Sequence, residues 1–393
     1  MKKIYILLFA VFSVVFVSCR TPNQNDALLQ VRIGVILPLS GEYRNQAKAA
    51  LDGMELAVKE CNRKGGIDSR PVQLCIYNSG GNPEKAAAIA REIIEKDNII
   101  ALIGGYSSTE ALQLKLVAEE LGVPYVANMA THESLVQEAE YTFQSSLNDE
   151  IQGAALAYYI AYRRKFIKPA VMLNIDKSAV YPRGLGRKTA QAWADFSGRS
   201  PLLMTYSMEQ KSFAEQIMKC IYEDVDVIVL PAYPESAVRF IREARKLGYR
   251  GAFAGGDSYD HPAFTGGGED FGDCFFTTAY YLKNDSSANS AFIKLMQKYY
   301  KRNPGYAEAM GYDGVNFLLK GVKNAFTPDE TAHNLSNMRM FSSVCGTMDY
   351  HERKKIMLHP VFVVKAAAKD SKTVLLWTVD SQQLKNYRNR EKY

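Results

Sequence analysis

The stretch Ala101-Leu102-Ile103-Gly104-Gly105-Tyr106-Ser107-Ser108-Thr109 runs from a short apolar strand, through two glycines, into a helix-like segment that reaches Leu121. The next stretch repeats the design: Pro124 to Ala127 reads as a strand, broken at Asn128-Met129-Ala130-Thr131 before another helix-like segment. Each break sets small residues and hydroxyls where the free N–H groups of a helix start point, a seat for an anion such as a carboxylate. Two seats one repeat apart imply a ligand held between strand ends.

On both sides of this stretch the chain alternates strand and helix. Val31 to Leu37 is an apolar, β-branched run closed by Pro38-Leu39-Ser40-Gly41, which predicts a buried strand and a turn. Ala47, Leu51, Met54, Val58 and Cys61 then recur at helical spacing, and Gly65-Gly66 supplies the stop. A strand at Val72 to Tyr77, a helix opened by Pro83 and a strand at Ile99 to Ile103 follow. Unbroken alternation with short connections calls for a parallel sheet covered by helices on both faces. From a helix near Asp149 the pattern starts again, with predicted strands at Ala170 to Ile175, Leu202 to Tyr206, Val225 to Leu230 and Gly251 to Ala254. Helices are predicted between them at Gly186 to Phe196, Phe213 to Ile221 and Pro234 to Gly248. After Ser287 come helices, then strands at Thr347 to Tyr350, Val361 to Val364 and Val374 to Val379. Two similar α/β lobes, both completed by the returning chain across a multi-crossing hinge, account for this order.

A length of 393 residues fits two lobes, each burying its own core. The net charge of +6 is small for this length and scattered, apart from Arg163-Arg164-Lys165 and the tail from Lys385 to Lys392, so no nucleic-acid partner is expected. Residues 1–19 differ in kind: Lys2-Lys3, an apolar run from Ile4 to Val17, then Ser18-Cys19. A positive head and a short apolar core ending in small residues describe an export signal, too short for a comfortable membrane span. Phe16-Val17-Ser18-Cys19 resembles a bacterial lipobox with Cys19 as the lipidated residue; an ordinary signal peptide cut nearby is the alternative. Residues 20–30 would be a polar tether. Five cysteines follow at wide spacing, an odd count that is no disulfide framework, and Cys61 with Cys75 is the pair nearest in sequence.

An enzyme needs a constellation of reactive groups. The five histidines form no metal-binding pattern, Ser107 lacks the second glycine of a nucleophile elbow, and Gly184-Leu185-Gly186-Arg187 lacks the third glycine of a dinucleotide loop. Neither catalysis, nor a cofactor, nor a metal is expected.

Further matches are Ile33-Gly34-Val35-Ile36-Leu37-Pro38-Leu39-Ser40-Gly41, Gly53 to Val58 with Asn62 and Gly65-Gly66-Ile67, the loop from Ile103 to Ser108, Ala130-Thr131, Gln152-Gly153, Tyr233-Pro234-Glu235 and Tyr312-Asp313. In their order and spacing, from Val31 to Lys365, the chain resembles type I periplasmic binding proteins, specifically the branched-chain amino acid (Leu/Ile/Val) receptor group of ABC importers. The resemblance implies two Rossmann-like lobes, residues 31–147 with 279–344 and 148–278 with 345–380, before a polar tail at 381–393. Crossings are expected near Leu147, Thr278 and Val344, with a ligand in the cleft and closure by hinge bending. It places Ser107, Ser108, Thr109, Met129, Ala130 and Thr131 around an amino acid's carboxylate and ammonium. Tyr181 and Tyr233 are placed as closing aromatics and Asp257 as the ammonium's partner. A zwitterion in a dry cleft needs those donors and that charge. Gln144 stands where the family often has Arg, Asn148 where it often has Asp, and Met129 and Asp257 depart in size, which leaves the ligand open beyond an amino acid or related amide. The implied role is an exported, lipid-anchored protein that delivers a small ligand to an inner-membrane ABC permease. A sensor or regulatory envelope lipoprotein on the same fold is the alternative.

Overall fold

The computed structural model describes residues 30–266, 268–351, 356–367 and 373–379. The export signal, Cys19, the tether up to residue 29 and the tail at 381–393 lie outside the described residues.

The first lobe begins with β1 (Val31–Leu37), α1 (Arg44–Arg63), β2 (Val72–Asn78), α2 (Pro83–Lys96), β3 (Ala101–Gly104), α3 (Ser108–Leu121), β4 (Tyr125–Ala127) and β5 (Thr142–Gln144). These strands are parallel in the order β2-β1-β3-β4-β5. The second lobe repeats the plan with α4 (Asp149–Tyr158), β6 (Pro169–Asn174), α5 (Val180–Ser197), β7 (Leu202–Tyr206), α6 (Ala214–Tyr222), β8 (Val227–Val229), α7 (Pro234–Lys246), β9 (Ala252–Gly255), α8 (Pro262–Thr265) and β10 (Cys274–Thr278). Its parallel order, β7-β6-β8-β9-β10, is the same. The chain then returns: α9 (Ser287–Tyr300), α10 (Tyr306–Val322) and α11 (Pro328–Ser336) precede β11 (Met340–Ser343), β12 (Gly346–His351) and β13 (Ile356–Leu358), which extend the first sheet. β14 (Val361–Lys365) and β15 (Val374–Val379) extend the second.

Sequence pattern explains the placement of these strands. β1 is buried at every position because it lies between β2 and β3 with helices on both faces, whereas β2, at the sheet edge, is fully buried only at Val72 and Cys75. The helices start on local caps: Asn82 accepts from the Lys85 N–H at 2.7 Å ahead of Pro83, and Ser107 accepts from the Glu110 N–H at 3.2 Å. α10 docks on α1 through two glycines, since a Cβ at Gly53 would meet the Glu308 carbonyl oxygen at 2.0 Å and one at Gly311 the Ala50 carbonyl oxygen at 2.0 Å. That contact makes α10, which carries Tyr306, part of the first lobe.

Several expectations are corrected. The second seat does not precede a full helix: residues Glu133–Leu135 form one 3-10 turn, and the chain runs on into β5. α5 begins at Val180, six residues before the expected start, because its glycines pack rather than turn. A Cβ at Gly184 would meet the His132 ring at 2.5 Å, and one at Gly186 would meet Leu173 at 2.9 Å. The third crossing lies at His359-Pro360, not Val344: β12 and β13 pair within the first sheet, β13 beside β5 through Ile356 and Gln144. Residues 345–358 therefore belong with the first sheet. The other passages lie between Gln144 and Asp149 and between Thr278 and Ser287. His359 Nε2 donates to the Ser145 carbonyl at 2.7 Å, tying the third crossing to the first, and burial lowers its pKa to about 4, so the ring is neutral. Cys61 and Cys75 form no disulfide with each other, and the Cys75 sulfur accepts from Arg32 Nη2 at 3.4 Å.

Candidate functional site

In a doubly wound sheet the strands on either side of the topological switch point leave a crevice beyond their carboxyl ends. Here the two sheets turn those ends toward each other, and a cavity of about 50 Å³ lies between them. Its first wall is the pair of seats that follow β3 and β4. The first requires glycine: Gly104 has φ +131°, and a Cβ there would meet the Ile36 carbonyl oxygen at 2.1 Å. Gly105 follows at φ +72° against the Tyr125 hydroxyl, and the chain is thereby aimed into the N-terminus of α3.

The predicted residues of this wall divide by role. Ser107, Ser108, Met129, Ala130 and Thr131 line the cavity, but Thr109 does not. Thr109 donates its hydroxyl across the cleft to the Ser178 carbonyl at 2.6 Å, a contact between lobes. The Ser107 hydroxyl caps α3. Ser108 and Thr131 are 1% and 2% exposed, and both hydroxyl oxygens lack a hydrogen-bond partner. Buried hydroxyls are seldom left so, and a pair facing one cavity is a ready donor set for an anionic group. The Ala130 carbonyl already accepts from Gln144 Nε2 at 3.0 Å and from the Ser146 hydroxyl. Gln144 in turn accepts from Asn148 Nδ2 at 2.8 Å, so these two side chains meet as a neutral amide pair beneath the seat.

The second wall comes from the ends of β8 and β9. Asp257, 5% exposed, accepts from Gln152 Nε2 at 3.0 Å on one oxygen and from the Tyr306 hydroxyl at 2.7 Å on the other. Gln152 is held in turn by the Asp257 N–H at 3.0 Å and the Thr277 hydroxyl at 2.9 Å. Burial pushes the Asp257 carboxyl above the usual carboxylate range, and the bonds from Tyr306 and Gln152 pull it back. Tyr306 belongs to the first lobe and Asp257 to the second, so their bond closes the cleft. Tyr181 lies in the first turn of α5 and donates to the Ser258 hydroxyl at 3.0 Å. Its ring is 5.7 Å from that of Tyr233, which is 5.8 Å from Tyr43, which stacks on Tyr106 at 4.8 Å. Four tyrosines thus bridge the lobes with apolar faces and polar tips.

Sequence reasoning missed Tyr43, Tyr106, Gln152, Tyr306 and Asp149 as parts of this arrangement. Tyr43 and Tyr306 each sit at a helix start after a glycine-containing turn, a visible signal, but nothing local says that the two helices they begin lie together. Asp149 is buried next to Asn148, which caps α4 by accepting from the Glu150 N–H at 2.9 Å. Neither Asp149 carboxylate oxygen has a formed hydrogen bond, although the Thr131 hydroxyl is near enough to ease its charge. Burial pushes its pKa well up, and the Asp257 charge adds to this. Among the described residues no group of three His, Cys, Asp or Glu side chains is arranged to hold a metal. No described helix is long and apolar enough to cross a membrane.

Residues 30–372 match the family model described as periplasmic binding protein. The chain is 23% identical over 331 residues to Leu/Ile/Val-binding protein homolog 1 of Brucella abortus, covering 84% of this chain and 88% of that protein. Among solved structures it is similar to a leucine binding protein, LivK, from Thermotoga maritima, with a TM-score of 0.81, 23% identity and coverage of 89% and 99% of the two chains. It is also similar to the branched-chain amino acid transporter substrate binding protein LivJ from Streptococcus pneumoniae in complex with isoleucine, with a TM-score of 0.77, 21% identity and coverage of 88% and 100%. At these identities the likeness establishes the fold and leaves the ligand to the cleft residues.

Proposed function

The chain belongs to the periplasmic binding protein family, and from that premise we propose that it closes on a small zwitterion, an amino acid or related amide, and delivers it to an inner-membrane ABC permease. One observation carries the reading: two buried hydroxyls without a formed hydrogen bond, Ser108 and Thr131, face an interlobe cavity whose other wall holds Asp257. The hydroxyls and the first N–H groups of α3 suit a carboxylate. Asp257, already ordered by Gln152 and Tyr306, suits an ammonium without further reorganisation. Tyr181 and Tyr233 cover the ligand as the lobes meet. The protein performs no covalent chemistry in this role. On the same reading residues 1–19 act as the export signal and Cys19 carries the lipid anchor.

Calorimetric titration of the mature protein with the common amino acids and their amides is the test. Saturable binding of at least one supports the reading, and binding of none sinks it. The anchor is tested separately, by the mass of the mature N-terminal peptide, which carries acyl chains on Cys19 if it is correct.

A further inference from the structure

A second cavity, of about 320 Å³, lies at the hinge beside the first, and Asp260 and Tyr306 line both. Its other walls include Thr278 and Tyr280 at the second crossing, Lys283 just beyond, and Thr265 at the end of α8. The cleft cavity alone, at about 50 Å³, falls far short of the ~300–1,000 Å³ usual for a small-molecule site. The hinge chamber supplies the missing space. The shared wall is a seam between the lobes rather than continuous chain, because Tyr306 comes from the first lobe and Asp260 from the second.

Charge decides what would enter. Asp260 accepts from the Thr278 hydroxyl at 2.8 Å through one oxygen only. Asp257 and Glu308 lie close enough to act on it with like charge. The neighbouring cations do not cancel this: Lys283 is exposed, and Arg302 is engaged by Asp52 and Glu308. Burial with these acids raises the Asp260 carboxyl to about 7, and a cation brought beside it would lower that again. A ligand carboxylate would meet repulsion there, and an apolar group would leave a half-buried acid facing it.

Resting on the proposed zwitterion site, we infer that the ligand carries a cationic side chain that runs past Tyr306 and Asp260 into the hinge chamber. The preferred class is then a basic amino acid rather than a short apolar one.

The test is calorimetric titration with arginine, lysine, alanine, valine and glutamate, using wild type and the variants Asp260→Asn and Thr265→Phe. The first variant removes the chamber's negative charge and the second fills its space. Arginine or lysine is expected to bind wild type at least about tenfold tighter than alanine or valine, with glutamate weakest. Each variant is expected to cut the ratio of arginine to alanine affinity by at least about tenfold. The ligand-free melting temperature shows that each variant is folded, and either variant alone suffices. Binding of alanine or valine with no advantage for the basic ligands overturns this inference and leaves the zwitterion site standing. So does a basic preference that both variants leave intact. Binding of no amino acid overturns both readings.

Discussion

Replacing Asp257 by Asn tests the second wall of the cleft with little change of shape. The amide oxygen can still accept from Gln152, as the carboxylate does at 3.0 Å, and the Tyr306 hydroxyl, 2.7 Å from the other oxygen, can turn its proton away and accept. Only the charge is lost. Truncating one partner of a buried, hydrogen-bonded charge pair costs about 2–5 kcal/mol, so the affinity for an amino acid should fall by about 30- to 5,000-fold. The ligand-free protein should hardly notice. Burial raises the Asp257 pKa, so the stability this group contributes is full below its unfolded pKa and is lost as the pH rises through the folded one. At pH 7.5 the Asn variant escapes that penalty while losing part of the Tyr306 contact, and its melting temperature should stay within about 4 °C of wild type. The pH profile is the sharper readout. Measured with alanine, whose side chain stops short of Asp260, wild-type affinity should weaken as the pH falls through the raised Asp257 pKa, and the variant's should weaken less over that window. An affinity within about threefold of wild type, with an unchanged profile, would remove Asp257 from the ammonium site.

Ser108→Ala should act with opposite signs on two assays. It removes a buried hydroxyl oxygen without a partner, so the ligand-free melting temperature should hold or rise, while calorimetry should show affinity falling by about 10- to 150-fold for the charge-assisted bond lost. Thr109→Val removes the 2.6 Å bond to the Ser178 carbonyl across the cleft; at about 0.5–1.5 kcal/mol it should open the ligand-free protein in small-angle scattering and weaken binding by about 2- to 12-fold. Asp260, with a pKa raised to about 7, lowers stability as the pH rises from its unfolded value toward 7. The ligand-free Asp260→Asn protein should therefore melt above wild type at pH 8, and the difference should fade as the pH is lowered and be gone by about pH 4.

The doubled α/β pattern was legible because a strand buried on both faces must read as an unbroken apolar run, as Val31 to Leu37 does, and because helices covering a sheet must repeat at three and four. The strands that escaped notice are β5, β10, β11 and β13. Each is no longer than five residues, and a short run is defined as strand by its neighbour in the sheet rather than by its own composition. The Val344 crossing failed for the same reason. Only the pairing of Ile356 with Gln144, far apart in sequence, places β12 and β13 with the first lobe.

Of the cleft lining, Ser108 and Thr131 were legible as strand-end residues because they follow strands at glycine-rich or small-residue breaks, a local property. What the sequence determined by itself was one wall of the cleft, since the turn chemistry of a strand end is written in adjacent residues. The tertiary structure decided what that wall faces. It sent Thr109 across to the other lobe, brought Tyr306 to Asp257 over 49 positions of chain, and set Asp260 between the cleft and the hinge chamber. Those placements follow from helix packing and hinge crossings, in which a side chain's neighbours are fixed by the burial of the whole lobe and leave no mark on the residues beside it.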